Sequence, residues 1–219
     1  QLTHLGLKKI AVFYQNDGFG KSGKDGVVSA LARHKLKPVA EGSVERNSQQ
    51  VDGAVAQIAK ANPQAVIMVT LFKPTAEFVR QMRKAGQSPQ FSTLSPLGAD
   101  FLVTEMGAKE AHGIGISQAM PYPWNDTLPI VKEYHKALQA FAKHGNYSYY
   151  GLEGFINAKL MAEAIRRTGK DLTREKLVNA LESSNFDLGG YKLGYTPASH
   201  NGSHFVDLTV LSRDGRVLR

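Results

Sequence analysis

The run Gly18-Phe19-Gly20-Lys21-Ser22-Gly23 spells G-x-G-x-x-G. In a dinucleotide-binding turn, glycines at that spacing let the backbone approach a pyrophosphate at a helix N-terminus. Glu41 and Glu45 follow about 20 residues on, where an acid for a ribose hydroxyl would stand. Two features oppose this reading. Gln15, Asn16 and Asp17 separate the preceding apolar run from Gly18, so the first glycine is not at the strand end. Asp17 also places a negative charge beside any diphosphate. A P-loop reading of Gly20-Lys21-Ser22 fails because Gln15 stands where that motif has its first glycine. The competing reading is a βα loop whose glycines allow close helix–sheet packing or admit a non-nucleotide ligand. A nicotinamide-dependent oxidoreductase using Gly18, Gly20 and Gly23 therefore stays open.

A second set falls just after successive apolar runs: Asp17 and Phe19, then Leu71, Phe72 and Lys73, then Ser95 and Pro96. If those runs are parallel strands, their carboxyl ends border the crevice where open α/β sheets bind ligands. Apolar and aromatic groups with a few polar ones suit a small organic molecule. The histidines offer less. His200 and His204 lie in a polar stretch, and His4, His34, His112, His135 and His144 are scattered, whereas a metal needs convergent ligands. No G-x-S-x-G elbow or H-E-x-x-H pair occurs, so nucleophilic or metal-assisted catalysis has no support, and no cofactor or metal is expected. Tyr147, Tyr149 and Tyr150 read as packing anchors. Arg80, Arg83, Lys84, Arg166 and Arg167 read as solvated helix faces, without the interleaved aromatics of a nucleic-acid surface.

These residues need a scaffold, and the chain has material for one. It has 219 residues, 42 % of them hydrophobic, a net charge of +8 and no cysteine. That excludes a disulfide framework, thiolate catalysis and iron–sulfur clusters. No apolar run approaches a membrane span. Ile10 to Tyr14 is a continuous apolar run, the pattern of a strand buried on both faces. Helical spacing follows at Val27, Val28, Leu31 and Ala32. A weaker strand covers 39–44, and Val51, Ala54, Val55, Ile58 and Ala59 share one helix face. Ala65 to Leu71 reads as a strand. The next helix has Pro74 as its first residue, carries Phe78, Val79 and Met82, and stops at Gly86. Short strands follow at 91–94 and 113–117. Strand–helix alternation of this kind means a doubly wound, parallel α/β sheet.

Beyond Met120 the pattern changes. Pro121 to Asn125 is a connector. A helix over 127–144 buries Val131, Tyr134, Leu138 and Phe141. Another covers 149–167, ended by Gly169, and a third is capped by Thr173 and carries Leu177, Val178 and Leu181. Residues 191–196 and 205–211 flank Asn201-Gly202 as a hairpin, and Asp214-Gly215 marks a tight turn. Three successive helices here lack a sheet to cover.

The stretches KKIAVFYQNDGFGKSGKDG, AVIMVTLFKPTAEFVRQMRKAGQSPQF and STLSPLGADF, in that order, resemble the second lobe of type I periplasmic solute-binding proteins of ABC importers, the leucine/isoleucine/valine-binding-protein-like branch. GLEGFINAKLMAEAIRRTG and SRDGRV are similar to that family's C-terminal segment. The resemblance implies lobe two over 1–120 and, over 121–219, a segment returning to a first lobe that this chain contains only in part, its helices covering that lobe's sheet. It implies an extracytoplasmic, periplasmic protein that binds a small solute between hinged lobes and delivers it to a membrane permease. Phe19 matches an aromatic that stacks on the ligand, beside Gly20. Leu71 and Phe72 fall where a second aromatic contact lies. Ser95 falls where amino-acid binders place an acid for the ligand ammonium. A serine supplies no such charge, so a neutral or anionic solute, such as an aromatic acid or another carboxylate, is expected. The partial chain is expected to bind solute weakly and to self-associate through exposed helix faces.

Overall fold

Ile10–Gln15 is apolar throughout its first five residues, and in the computed structural model, which describes residues 1–142 and 145–219, it forms the buried strand β1. It lies between β2 (Glu41–Val44) and β3 (Ala65–Val69), parallel to both. β4 (Gln90–Leu94) and β5 (Gly115–Gln118) extend the parallel set. The sheet closes with β8 (Asp207–Leu211) and β9 (Val217–Leu218), in the order β2-β1-β3-β4-β5-β8-β9. As β8 advances from Thr209 to Leu211, its partners retreat from Ile116 to Gly113, so it runs against β5.

Side chains alternate across this sheet and fix which helix covers which face. Phe13 stacks on Phe78 of α3 (Phe72–Lys84), with ring centroids 4.1 Å apart, and Phe91 meets Phe78 edge-on. Ile10 and Ala65 face the other way and pack with Leu31 of α1 (Gly18–Arg33). α2 (Asp52–Lys60) buries Ala54, Val55 and Ile58, and α4 (Ala99–Met106) buries Leu102 and Met106. A short α5 (Ala108–Ala111) leads into β5.

Residues 1–117 and 208–219 form one compact unit and residues 118–207 another. The last dozen residues thus join the first unit instead of the segment that precedes them. In the second unit, α6 (Pro129–Phe141) and α7 (Tyr149–Thr168) close a core with the two-stranded sheet β6 (Asn185–Asp187) and β7 (Lys192–Gly194). Its centre is Ile130, Val131, Tyr134, Leu152, Ile156, Phe186 and Tyr191. Ser148 and Thr173 cap α7 and α8 (Arg174–Glu182) by accepting from the N–H groups of Gly151 and Lys176.

Three expectations need correction. The hairpin of 191–196 with 205–211 does not form. Lys192–Gly194 pairs with Asn185–Asp187, while Asp207–Leu211 is drawn into the large sheet by the inward side chains Thr209 and Leu211. Phe141 is 91 % exposed, because α6 ends at that residue and turns no further face toward the core. α8 turns Leu177 and Leu181 half-buried against the second core, as expected of its apolar side, but leaves Val178 45 % exposed. The expected helix end at His144 lies outside the described residues.

Candidate functional site at the carboxyl edge of the sheet

The glycine run is not a loop. Gly18 to Gly23 are the first six residues of α1, and Asp17 is its N-cap. The Asp17 carboxylate accepts from the Gly20 N–H at 2.9 Å and from the Gln15 side-chain amide at 2.5 Å. The Gly20 N–H, then the Gln15 amide, hold this carboxyl below the usual carboxylate range, and Arg46 adds a smaller pull. A helix N-terminus already carrying a bound carboxylate has little to offer a diphosphate. None of the three glycines takes a positive φ. Two of them serve close approach: a Cβ on Gly20 would lie 1.8 Å from the Gln15 carbonyl oxygen, and one on Gly23 would lie 2.4 Å from a methyl of Val69, whereas one on Gly18 would meet nothing within 4 Å. The spacing that mimics a dinucleotide fingerprint therefore seats α1 on β1 and β3.

Asp17 also links this cap to pH. A carboxyl whose folded pKa is depressed contributes stability above its unfolded value, and that contribution fades as pH falls through the folded value. Asp17→Asn is therefore expected to destabilise the chain at pH 7 and to differ less from the parent at pH 3. Denaturant titrations of both proteins at the two pH values check this. Equal differences at both would separate the cap from its charge.

Strand order 2-1-3-4-5 reverses direction between β1 and β3, and ligands of such sheets sit outside the carboxyl ends at that switch. A cavity of about 300 Å3 lies there. Gln15 lines it from the end of β1, Asn47, Ser48 and Gln49 from the loop after β2, and Leu71, Phe72, Lys73 and Pro74 from the joint after β3. That joint is pinned by a 2.6 Å hydrogen bond between the buried hydroxyls of Thr70 and Thr75. Leu71 occupies the N-cap position of α3 and has no side-chain acceptor. The first N–H groups of this helix, at Phe72 and Lys73, thus lack the side-chain cap that α1 has. Phe72 stacks at 5.5 Å on Phe101 of α4. Asn47 holds a left-handed backbone (φ 61), which asparagine tolerates better than most residues.

The structure brings Leu71 and Phe72 together with Lys73 in this cavity. Phe19, 38 % exposed in the first turn of α1, and Ser95, which opens a 3-10 turn Ser95–Leu97 after β4, lie at the same edge of the sheet but do not line the cavity. Sequence reasoning missed Gln15 as a wall residue, the Asn47–Gln49 loop and Phe101. Asn47 carried the one usable signal, an asparagine in a polar turn after a strand. Among the described residues no three His, Asp or Glu converge, and His200 pairs with Glu182 at 2.8 Å. His144 lies outside the described residues. No described helix is long and apolar enough to cross a membrane.

A family model described as periplasmic binding protein matches residues 1–216. A substrate-binding periplasmic protein from Ralstonia solanacearum is 35 % identical with a TM-score of 0.87, over 99 % of this chain and 62 % of that one. A possible leucine/isoleucine/valine-binding protein from Rhodopirellula baltica is 31 % identical with a TM-score of 0.91, over 100 % of this chain and 61 % of that one. A leucine-binding protein from Thermotoga maritima, 17 % identical, shares the fold with a TM-score of 0.85, over 99 % of this chain and 60 % of that one. No curated protein matches. The chain thus spans about three fifths of the length of these solved structures. With the switch-point crevice, the strand order and a family match from end to end, this chain belongs to the periplasmic binding protein family, of the type I fold.

Proposed function

We propose that the chain is part of the extracytoplasmic solute-binding component of an ABC importer, and that its first unit is the second of two lobes that close on a small organic solute by hinge motion. The cavity at the β1/β3 switch carries this reading. Its walls are apolar at Leu71 and Phe72, neutral and hydrogen-bonding at Gln15, Asn47, Ser48 and Gln49, and cationic at Lys73. Such groups bind and orient a solute without breaking a bond. Phe19 and Ser95 complete the contact set from the same edge, and Gly20, beside Phe19, contributes by holding the Asp17 cap and the start of α1 in place. Solute contacts on both lobes favour the closed form, and a membrane permease recognises that form in the periplasm.

The charge pattern favours a solute bearing a carboxylate. Lys73 and the uncapped first N–H groups of α3 attract negative charge, and Ser95 offers no partner for an ammonium. An aromatic acid fits the Phe72–Phe101 pair, and an amino-acid-like solute is the neighbouring class. The Trp124 fluorescence of the 219-residue chain is expected to stay unchanged on titration with NAD, and calorimetry is expected to detect weak solute binding or none. Micromolar NAD binding by this chain would replace the transport reading with the oxidoreductase one. Exposed apolar side chains on the helices, among them Phe141, Met161, Ile165 and Val178, are expected to drive some self-association.

A further inference from the structure

Of the chain's net charge of +8, residues 1–117 and 208–219 hold +7, as 17 basic against 10 acidic residues. The sequence intersperses them, and the fold sorts them by edge. In a parallel α/β unit the strands begin, and the crossover helices end, at the edge opposite the carboxyl ends of the strands. Here that edge is a hydrogen-bonded row. The Val39 N–H bonds the Ile10 carbonyl, and the N–H groups of Lys8 and Lys9 bond the side-chain carbonyl of Gln64. The Gln90 N–H bonds the Gln64 carbonyl, the Gln90 side chain bonds the Gly113 carbonyl, and the Gly113 N–H bonds that of Leu211. Five steps of about 4.8 Å, from β2 across to β8, make the row about 24 Å wide.

Cations stand along all of it, exposed except for the half-buried Arg83. Lys8 and Lys9 precede β1, Arg33, Lys35 and Lys37 lie at and after the end of α1, and Lys60 ends α2. Arg83 and Lys84 end α3, Lys109 lies in α5, and Arg213 and Arg216 lie in the turn after β8. Among the described residues the acids at this edge are Glu105, Glu110 and Asp214, and the last two are already paired with Arg80 and Arg216. The carboxyl edge instead sets Lys21, Arg46 and Lys73 against Asp17, Glu45, Asp52 and Asp100.

Helix dipoles account for Arg33, Lys60, Arg83, Lys84 and Lys109, because cations in a last turn meet the negative end of a helix. They do not account for Lys8, Lys9, Lys37 or Arg213. Lys35 is the sharpest case. Its N–H and that of Leu36 bond the carbonyls of Ala32 and Leu31, which puts Lys35 just past the end of α1 with φ 57, a position that favours glycine. A lysine kept there carries a backbone cost. Val39, exposed in the same loop, is aliphatic and offers no ring on which a nucleic-acid base would stack. Spread point charges with an aliphatic group among them suit a lipid headgroup layer.

We propose that this edge of the first unit is a docking face for a phospholipid bilayer bearing anionic headgroups. The attachment is peripheral and Coulombic. It turns the carboxyl edge, with the cavity at the β1/β3 switch, away from the lipid, so a solute reaches that cavity from the aqueous side while the chain stays at the membrane.

Co-sedimentation of the 219-residue chain with mixed phosphatidylglycerol–phosphatidylcholine vesicles, and with vesicles of phosphatidylcholine alone, tests this. At about 0.05 M salt the anionic vesicles are expected to take up the chain and the neutral ones to leave it in solution, and about 0.5 M salt is expected to release it. Each cation near an anionic surface changes the partition about fivefold, so Lys8→Gln, Lys9→Gln and Lys37→Gln together are expected to lower it about 100-fold. Lys170→Gln, Lys176→Gln and Lys192→Gln remove the same charge from exposed positions of the second unit, and are expected to lower it about twofold at most. Lys35→Gly is expected to lower it about fivefold while melting no earlier than the parent, which separates the charge from the fold. The proposal is overturned if neutral vesicles take up as much chain as anionic ones, or if the two triple variants lose affinity equally. It is equally overturned if the chain binds polyglutamate more tightly than anionic vesicles of the same charge concentration, which would give the face to an acidic protein.

Discussion

Gly20→Ala is expected to lower the melting temperature of the first unit by about 6–12 °C, the shift that about 3 kcal/mol produces in a protein of this size. The added methyl would stand 1.8 Å from the carbonyl oxygen of Gln15 and 2.7 Å from its nitrogen and carbonyl carbon. Those atoms are backbone, so no rotamer change relieves the clash. Either α1 lifts from the sheet or the end of β1 shifts. Both movements also disturb the Asp17 cap, since the Gly20 N–H is its partner. The variant therefore loses packing and a helix cap together.

Gly26 supplies the control within the same helix. A Cβ there meets nothing within 4 Å, so Gly26→Ala removes the entropic cost of a mid-helix glycine without a clash. A gain of about 0.5–1 kcal/mol is expected. The pair separates two explanations of the glycine-rich sequence. If these glycines serve close packing, Gly20→Ala destabilises and Gly26→Ala stabilises. If they serve a flexible ligand loop, both changes leave thermal stability nearly unchanged, and that result would refute the packing account.

The glycine run also shows where the sequence was legible and where it was not. Asp17 three residues before Gly20 is a helix-start signature, yet the three polar residues between the apolar run and Gly18 read as part of a βα loop. Tertiary contact with Gln15 and Val69 decided the matter, and neither contact is local. The strands Ile10–Gln15 and Ala65–Val69 were readable because burial on both faces leaves a continuous apolar run. Asn185–Asp187 was not, because its one inward side chain, Phe186, gives no period. The partner of Asp207–Leu211 was misread for a related reason. Asn201-Gly202 suggested a local turn, whereas Thr209 donates to Ile116, 93 residues away. At the site, the strand ends located Leu71 and Phe72. The Asn47–Gln49 loop stayed hidden, since loop residues acquire a role only when the chain brings β2 beside β1.

The other large effect concerns the solute. In polypeptide of the length of the solved relatives, Phe72→Ala is expected to weaken binding about tenfold or more. Burying an aromatic side chain against a ligand contributes about 1.5–3 kcal/mol, and 1.4 kcal/mol is a factor of ten. Phe72 is already half-buried and leans on Phe101, so the lower end of that range applies. Ser95→Glu is the sharper variant. It places a carboxylate where the serine leaves the edge of the sheet uncharged, so it repels an anionic solute and creates a partner for an ammonium. Isothermal titration with an aromatic acid, its amide and a branched-chain amino acid separates the cases. The parent is expected to prefer the acid over the amide, Lys73→Gln to erase that preference, and Ser95→Glu to shift selectivity toward the amino acid. If all three variants bind every solute as the parent does, the cavity at the β1/β3 switch is not the solute site. If the parent prefers the amino acid without any change at Ser95, the charge argument fails while the binding role stands.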